Sequence, residues 1–566
     1  MVFLIAFLLF TVVNAANDVN GTCGQLCTWK LSGNTLTISG NGTMANYTFS
    51  KPAPWDQQKQ SITTIVIEKG ITSIGNYAFI SSKSLKSVTI GENVTFIGHY
   101  AFQNCKLLAN IVIPEGGLFI GNYAFQNCES LESVTLPQSL TSIGEYAFQL
   151  CVSLKSVVIP PGVKLIDSYT FHSCYSLSSV TIPEGVTKID RYAFEGCISL
   201  ETIVIPSTVT SFGYESFDNT PALISVIYKG VNKPSCDNLV FDNSNIIVST
   251  NYTETKLCGE NVIKSENLNE VIYNGTCGVS CSYKIDIIRG ILKIEGTGEM
   301  TNYTKSSSVP WIKYEFKTVE ISGITTIGDY ALYNSAKLIT MIIPEGITYI
   351  GIEAFYYSVH MLSVTIPSSV KMIAKEAFSS CNALASVSIA EGVKIISDEA
   401  FLSCTSLESI TIPESVTNIG AAAFKYCSSL KSINIPQGIK EINGYTFNRC
   451  FSLRSVTIPE GITTIKGSAF EGCSSLTSII IPKSITQLGT SAFKSCNSLE
   501  TITYNGLNEP KYSSSKLPFE GCSMLHTIYL QTAYSGSKTS FCGTSIQSSH
   551  QSENGNCGND CKGSIF

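Results

Sequence analysis

A fixed step of 23 residues organises most of this 566-residue chain. Phenylalanine, usually after Ala, Ser or Thr, recurs in two runs at that step. Equal spacing of this kind is the signature of a repeat protein, in which each repeat is one structural unit and the units stack. The positions are Phe79, Phe102, Phe125, Phe148, Phe171, Phe194 and Phe217, then Leu332, Phe355, Phe378, Phe401, Phe424, Phe447, Phe470 and Phe493, with Phe519 after a longer step of 26.

The repeat that begins at Leu131 shows how one unit is built. Leu131, Val134 and Leu136 have the L-x-x-L-x-L spacing of a leucine-rich-repeat strand. Ser133 and Thr135 alternate with them, so one strand face is apolar and the other carries hydroxyl groups. The sequence therefore predicts a short strand in every repeat, with its hydroxyl face in solvent.

The rest of the unit returns the chain to the core. Pro137 ends the strand because it has no N–H to donate. Leu140 and Ile143 are apolar again, and we expect Gly144 to permit a tight turn before Phe148. One such coil cannot bury enough apolar surface to fold alone, so neighbouring coils must stack at about 4.8 Å per strand. We predict a β-rich solenoid, a tandem leucine-rich-repeat slab of horseshoe type.

A second, larger repeat surrounds each run. Its two copies share a cysteine pair, an apolar strand and a Pro-Trp pair, which predict a β-hairpin cap with the tryptophan as apolar plug. The matching segments are 20–27 and 274–281, 36–40 and 292–296, 54–55 and 310–311, and 228–234 and 504–510, while 554–561 resembles the start of a third copy.

These features divide the chain into successive regions. The predicted regions are a signal peptide (1–15), an N-terminal β-hairpin cap (16–60), solenoid 1 (61–230), a C-terminal cap or linker (231–273), a second β-hairpin cap (274–317), solenoid 2 (318–530) and a tail with the start of a truncated third module (531–566).

The N-terminus predicts export. Val2 to Val13 is almost entirely apolar, and small residues precede a cleavage site after Ala15. No later apolar stretch reaches the about 18 residues of a membrane helix, so we expect no membrane span after cleavage. Seven N-x-S/T triplets are candidate glycosylation sites in an exported chain: Asn20, Asn41, Asn46, Asn93, Asn251, Asn274 and Asn302.

Charge and histidine content restrict the possible functions. The net charge is −6 and no Lys/Arg-rich block occurs, which argues against a nucleic-acid partner. The chain has only 5 histidines, and none adjoins a nucleophile or acid that breaks the repeat pattern. We therefore expect no enzymatic activity, no catalytic residue, no cofactor and no metal site.

The cysteines fall into two groups. Twelve occupy one inward repeat position, where we favour buried thiols over inter-coil disulfides. On that interpretation Cys404→Ser buries a hydroxyl without an obvious partner. The cap pairs Cys23/Cys27, Cys277/Cys281 and Cys557/Cys561 could form local disulfides, and the sequence leaves this open. The repeated cysteines are Cys105, Cys128, Cys151, Cys174, Cys197, Cys381, Cys404, Cys427, Cys450, Cys473, Cys496 and Cys522.

The strand hydroxyls form the candidate binding face. On the concave sheet they make a long, flat and weakly charged surface, which suits multivalent contact better than one deep pocket. Representative residues are Ser133, Thr135, Ser179, Thr181, Ser409, Thr411, Ser455 and Thr457. A structural coat or spacer glycoprotein without a specific ligand is the alternative.

The repeat S-L-x-S-V-T-I-P-x-x-V-T-x-I-G-x-x-A-F-x-x-C and the cap motifs resemble those of BspA-type leucine-rich-repeat surface antigens. The resemblance extends from about Cys23 to Phe519. It implies a secreted or cell-surface extracellular protein that adheres to host cells, matrix proteins, glycans or other microbes. It transfers no catalytic motif and no fixed binding residue.

The export hypothesis predicts a mature N-terminus at Ala16. N-terminal sequencing or intact mass spectrometry of secreted protein should show the chain starting there, because small residues at 13 and 15 suit the peptidase. Retention of residues 1–15 in the secreted protein would contradict the hypothesis.

Overall fold

The computed structural model describes residues 19–237, 240–241, 244–305, 309–531, 534–537, 540–545 and the backbone of 548–552. The predicted signal peptide and the Cys557/Cys561 pair lie outside these residues. The chain divides into two compact units, Met1–Asn269 and Glu270–Phe566. Each unit is a stack of short coils, and the leucine-rich-repeat β-solenoid predicted from the sequence is confirmed.

Unit 1 contains 22 of the strands and one short 3-10 helix at Asp56–Gln58. Its strands are β1 (Val19–Gly24), β2 (Cys27–Ser32), β3 (Thr35–Gly40), β4 (Thr64–Ile67), β5 (Ser73–Ile74), β6 (Ser87–Thr89), β7 (Phe96–Ile97), β8 (Asn110–Val112), β9 (Phe119–Ile120), β10 (Ser133–Thr135), β11 (Ser142–Ile143), β12 (Ser156–Val158), β13 (Leu165–Ile166), β14 (Ser179–Thr181), β15 (Lys188–Ile189), β16 (Thr202–Ile205), β17 (Ser211–Phe212), β18 (Ser225–Tyr228), β19 (Ser235–Cys236), β20 (Asn245–Ser249), β21 (Lys256–Leu257) and β22 (Glu260–Ser265).

Unit 2 repeats the arrangement. Its strands are β23 (Ile272–Gly278), β24 (Cys281–Asp286), β25 (Ile291–Gly296), β26 (Thr318–Ser322), β27 (Thr326–Ile327), β28 (Thr340–Met341), β29 (Tyr349–Ile350), β30 (Ser363–Ile366), β31 (Met372–Ile373), β32 (Ser386–Ile389), β33 (Ile395–Ile396), β34 (Ser409–Thr411), β35 (Asn418–Ile419), β36 (Ser432–Asn434), β37 (Glu441–Ile442), β38 (Ser455–Thr457), β39 (Thr464–Ile465), β40 (Ser478–Ile481), β41 (Gln487–Leu488), β42 (Thr501–Tyr504), β43 (Thr527–Gln531), β44 (Ser540–Phe541), β45 (Thr544–Ser545) and β46 (Ser548–Ser552).

Each coil has three sides that hydrogen-bond to neighbouring coils. Face A carries the strand predicted from the hydroxyl pattern, such as β10, which pairs in parallel with β8 and β12. Face B carries a two-residue strand, such as β11, which pairs in parallel with β9. In both faces the partner of a residue lies 23 positions away, so equivalent side chains stack in columns.

The third side, face C, is a turn whose N–H groups also reach the next coil. Tyr77, Phe79 and Ser81 donate to carbonyl oxygens 22 residues ahead, at 2.9, 2.8 and 2.7 Å. The outer two of these residues have positive φ, 55° at Tyr77 and 58° at Ser81. Non-glycine residues rarely adopt this conformation, which costs about 1–2 kcal/mol each. The inter-coil hydrogen bonds of face C offset that strain.

Gly144 has a different role from the tight turn expected of it. The residues with left-handed backbone in its coil are Tyr146 (φ 58°) and Leu150 (φ 59°). A Cβ on Gly144 would lie 2.3 Å from Oδ1 and 2.7 Å from the backbone nitrogen of Asn122 in the previous coil. Glycine is therefore needed because two coils approach closely at this corner.

The phenylalanine of each repeat forms a stacked column in the core. Neighbouring rings from Phe79 to Phe217 have centroids 5.2–5.6 Å apart. Trp55 extends the column at its N-terminal end, 5.5 Å from Phe79, and donates from Nε1 to the carbonyl oxygen of Ala78 at 2.9 Å. Trp55 is 1% exposed, as expected of an apolar plug.

Each N-terminal cap has three antiparallel strands, one more than a single hairpin. β1 pairs with β2 and β2 with β3, after which β3 pairs in parallel with β4 and so begins face A. β23, β24, β25 and β26 repeat this order in unit 2. The last antiparallel strand thus covers the edge that the first coil would otherwise expose.

Face A also continues beyond the residues where the 23-residue step ends. β18 pairs with β20 and β20 with β22, which carries the parallel sheet of unit 1 to Ser265, past residue 230. In unit 2 the pairs β42–β43 and β43–β46 carry it to Ser552, past residue 530. Parallel pairing needs only backbone groups, so coils of irregular length can extend the ladder.

The disulfides lie near the ends of the two units and not within the regular repeats. Cys23–Cys27 and Cys277–Cys281 bridge the first turn of each cap, with Cα atoms 5.1 and 4.9 Å apart. A third bridge joins Cys236 to Cys258 at the C-terminal end of unit 1. This bridge was not predicted, because the two residues lie outside the repeat and are 22 positions apart.

The 12 repeated cysteines are thiols, as the packing interpretation predicts. Each Sγ donates to the carbonyl oxygen of a phenylalanine in the preceding coil, at 3.2 Å from Cys404 to Phe378. Burial raises the pKa of the Cys381 and Cys427 thiols to about 12, which keeps them protonated near neutral pH. The phenylalanine carbonyl oxygen explains why cysteine recurs at this position, because it accepts a hydrogen bond from the weakly donating thiol inside an apolar core.

This acceptor reverses the expectation for Cys404→Ser. Ser358 occupies the same repeat position and donates to the carbonyl oxygen of Leu332 at 3.4 Å, so a hydroxyl can make this bond. Cys404→Ser should therefore lower the free energy of unfolding less than Cys404→Ala, which loses the bond and leaves a void worth about 1–2 kcal/mol. Denaturant unfolding of both variants measures the difference. A larger loss for serine would show that hydroxyl burial outweighs the hydrogen bond.

Candidate functional site

The eight residues proposed for the binding face all lie exposed on face A. Their strands are β10, β14, β34 and β38, and the residue between each pair points inward; Val180 and Ile410 are 8% and 5% exposed. Ser133 stands opposite Asn110 and Ser156 in the neighbouring strands. The repeat therefore brings the predicted hydroxyls into columns within each unit.

Methyl groups interrupt the hydroxyl column of unit 1 at every second coil. Thr89, Val112, Thr135, Val158, Thr181 and Val204 succeed one another at the third position of the strand. Val112 and Val158 are each 59% exposed. Charged groups lie at the margin, where Lys155 pairs with Glu132 at 2.6 Å. Face A thus offers a mixed surface of hydroxyl and methyl groups with little charge.

Face C of unit 1 carries a second regular surface, a tyrosine ladder made of Tyr77, Tyr100, Tyr123, Tyr146, Tyr169 and Tyr192. Neighbouring rings have centroids 4.5–4.6 Å apart and planes inclined by 5–20°. All six rings are half-buried, and all six residues have φ between 55° and 59°. The left-handed backbone and the fixed step hold the rings in one stack.

Other rings cover the two ends of the tyrosine ladder. Phe49 packs edge-on against Tyr77 at 5.1 Å, and Tyr214 packs edge-on against Tyr192 at 5.6 Å. Partial burial, and then the neighbouring phenol, raise the pKa of Tyr100 and Tyr169. The faces of the tyrosine rings are therefore covered by neighbouring rings, and the exposed parts of the ladder are ring edges.

The tyrosine ladder was not predicted, although the sequence contains its signal. Tyrosine stands two residues before the repeated phenylalanine in six successive repeats of unit 1. In unit 2 the residue type at this position varies, so the alignment of the two runs obscures the pattern. The position holds Tyr330, Glu353, Glu376, Glu399, Ala422, Tyr445, Ser468 and Ser491. The ladder distinguishes unit 1 from unit 2, whereas the hydroxyl face is common to both.

The seven candidate glycosylation asparagines are all exposed. Two of them also take part in the fold through their side-chain oxygens. Asn46 Oδ1 accepts the backbone N–H of Asn76 at 2.9 Å, and Asn302 Oδ1 accepts that of Asp329 at 3.0 Å. Glycans on these residues would meet solvent.

One group of carboxylates lies near the C-terminal end of the tyrosine ladder. Glu195, Glu215 and Asp218 place oxygens within 4.8 Å of one another, and among the described residues this is the one such group that could share a cation. Burial, then Asp218 and Glu215, raise the pKa of Glu195. His172 Nε2 lies 3.1 Å from Glu195 Oε2, so one of the three carboxylates already has a partner within the chain.

Stacked coils with parallel short strands and an inward L-x-x-L-x-L pattern define a leucine-rich-repeat β-solenoid. The family model described as "BspA type Leucine rich repeat region (6 copies)" matches residues 57–178, 164–280, 325–454 and 440–556. The chain belongs to this BspA-type leucine-rich-repeat family. No curated protein sequence matches it.

Solved leucine-rich-repeat structures are similar to the chain at low identity. A leucine-rich cell surface protein from Faecalibacterium prausnitzii is 24% identical, with 88% of this chain and 96% of that one covered and a TM-score of 0.27. A leucine-rich-repeat protein from Bacteroides ovatus is 20% identical, with 77% and 99% covered and a TM-score of 0.29. Family membership is shown by the repeat match, which covers residues 57–280 and 325–556.

Within the part of the chain that the structure describes, no helix has the length and apolar character needed to cross a bilayer.

The tyrosine ladder leads to a prediction about stability. Tyr123→Phe should change the free energy of unfolding by less than about 0.5 kcal/mol relative to the unaltered protein, because the ring keeps both stacking neighbours. Tyr123→Ala should lower it by about 1–3 kcal/mol, since each stacked pair contributes about 0.5–1.5 kcal/mol. Glu376→Ala, at the same repeat position in unit 2, is the control and should change it little. Equal losses for Tyr123→Ala and Glu376→Ala would show that the stack contributes nothing.

Proposed function

We propose that the protein is a secreted or cell-surface adhesin that binds host cells, extracellular-matrix proteins, glycans or other microbes through face A, without catalysis. The observation that carries the proposal is the outward side of face A. Its exposed side chains, mostly with hydroxyl or methyl groups, line up from coil to coil because the strands pair in register. Family membership and the apolar N-terminal segment support an extracellular location.

The chemistry of face A favours weak contacts made many times. Most coils offer a serine or threonine at the first outward position of the strand and a hydroxyl or an aliphatic side chain at the second, and in the described coils these positions form an open sheet face. A surface of this kind gains affinity from the number of coils engaged, because linked contacts raise the effective concentration of the next one. Two units in one chain double the number of such surfaces.

The second candidate is a structural coat or spacer glycoprotein with no specific ligand. The exposure of all seven glycosylation asparagines favours it, since glycans would then form the outer layer. Under this function, changing face A would leave cell binding unaltered.

The test compares two fourfold variants of the full-length chain in binding to a panel of host cells and matrix proteins. The face A variant carries Ser133→Glu, Ser179→Glu, Ser409→Glu and Ser455→Glu. The control carries Ser142→Glu, Ser211→Glu, Asn418→Glu and Thr464→Glu on face B, which adds the same charge at solvent-accessible positions. We expect at least a tenfold loss of binding for the face A variant, about 1.4 kcal/mol, and little change for the control.

Two results would contradict the adhesin proposal. The first is unchanged binding of the face A variant. The second is an equal loss of binding in both variants, which would show that the added negative charge, and not its position on face A, reduces binding. Absence of binding by the unaltered chain to every surface in the panel would instead favour the coat or spacer function.

A further inference from the structure

The tyrosine ladder has a geometry that adhesion through face A does not use. Six phenol rings follow one another with centroids 4.5–4.6 Å apart and planes inclined by at most 20°. Because the rings are nearly parallel and repeat at a fixed step, the carbon ortho to one hydroxyl is separated from the corresponding carbon of the next ring by about the same distance as the two centroids. The six tyrosines are half-buried, so part of each side chain is exposed to solvent and to a dissolved oxidant.

We propose that the tyrosine ladder is an oxidative modification site at which neighbouring tyrosines couple to dityrosine and join successive coils covalently. The oxidant is hydrogen peroxide activated by a haem peroxidase. Five consecutive pairs, from Tyr77–Tyr100 to Tyr169–Tyr192, are the coupling partners.

The reaction balances in atoms and electrons. Each of two phenols loses one electron and one proton to give a tyrosyl radical. The two radicals form one carbon–carbon bond between their ortho carbons, and the two ring hydrogens then move to the phenol oxygens as aromaticity is restored. Hydrogen peroxide takes up the two electrons and two protons and leaves as two molecules of water.

The backbone of face C prepares the partners for this bond. Tyr100 donates its N–H to the carbonyl oxygen of Asn122 at 2.9 Å, and Tyr123 donates to that of Glu145 at 2.9 Å. Both residues are fixed at φ 59°, so their side chains leave the coil in the same direction. Two radicals held in contact couple without a diffusive encounter, which favours bonds within one chain over bonds between chains.

Tyrosine is the residue that can supply such links between the coils of the repeat. The cysteines that also recur at each coil are buried, and burial raises the pKa of the Cys128 thiol to about 12. A dissolved oxidant therefore reaches phenols on face C more readily than thiols in the core. Each dityrosine would close a 23-residue coil and constrain the unfolded chain, as a disulfide does.

The experiment treats dilute full-length protein with hydrogen peroxide and a haem peroxidase. We expect the blue fluorescence of dityrosine, a mass decrease of two hydrogen atoms per link, and a protein that remains monomeric on a denaturing gel. Peptide mapping after digestion with trypsin and a glutamyl endopeptidase should join tyrosines that are 23 residues apart in unit 1.

Two matched variants locate the chemistry. The alternating variant carries Tyr100→Phe, Tyr146→Phe and Tyr192→Phe, which keeps the stack but leaves no two tyrosines adjacent in the ladder. The control carries Tyr175→Phe, Tyr357→Phe and Tyr445→Phe, which removes three exposed phenols outside the ladder. We expect the alternating variant to lose at least nine-tenths of the intramolecular dityrosine and the control to keep most of it.

Clear outcomes overturn the proposal. They are the absence of dityrosine in the unaltered chain, links that map mainly outside the ladder, coupling only between chains, or equal yields in the two variants. Thermal unfolding of each variant verifies that it is folded. Should the alternating variant fail to fold, Tyr146→Phe alone replaces it and must remove only the links Tyr123–Tyr146 and Tyr146–Tyr169.

Discussion

Backbone hydrogen bonds between successive coils, in register at every 23rd residue, are the constraint on which the rest of the structure depends. Faces A and B make them through parallel strands, as in the pair Ser133 and Asn110. Face C makes them through a turn whose residues must adopt left-handed backbone, as Tyr146 and Leu150 do. Because all three sides are tied to the next coil, a residue cannot shift along the axis without breaking its partners. Stability is therefore shared between neighbouring coils and does not belong to a single repeat.

Exact register turns every inward position into a column of like residues. Phenylalanine stacks on phenylalanine, and the thiol of Cys404 meets the carbonyl oxygen of Phe378 from the preceding coil. A residue that fits one coil fits the next, since its neighbours are copies of itself. The ends of the column lack such neighbours, and each unit closes its N-terminal end with different chemistry: three antiparallel strands, a local disulfide and a buried tryptophan.

Outward positions are free of this packing demand and can therefore carry function. The two units share the hydroxyl pattern of face A but differ on face C, where Tyr123 in unit 1 corresponds to Glu376 in unit 2. A column of identical outward residues still becomes a continuous surface, because the register aligns it. When the residue type at one repeat position changes throughout a unit, a whole strip of its surface changes. Two similar units can therefore present different chemistry.

The 23-residue step and the alternation of Val134 and Leu136 with Ser133 and Thr135 determined the fold class, the strand positions and the exposed hydroxyls, because both are local and repeated. They also determined that Cys404 and its equivalents point inward. Only the tertiary structure decided what lies between coils. It showed that Gly144 avoids Asn122, that a thiol finds an acceptor on Phe378, that Cys236 reaches Cys258, and that six tyrosines stack. The physical reason is that one coil's sequence specifies its own face pattern, whereas contact distances arise only when a second coil is placed against it.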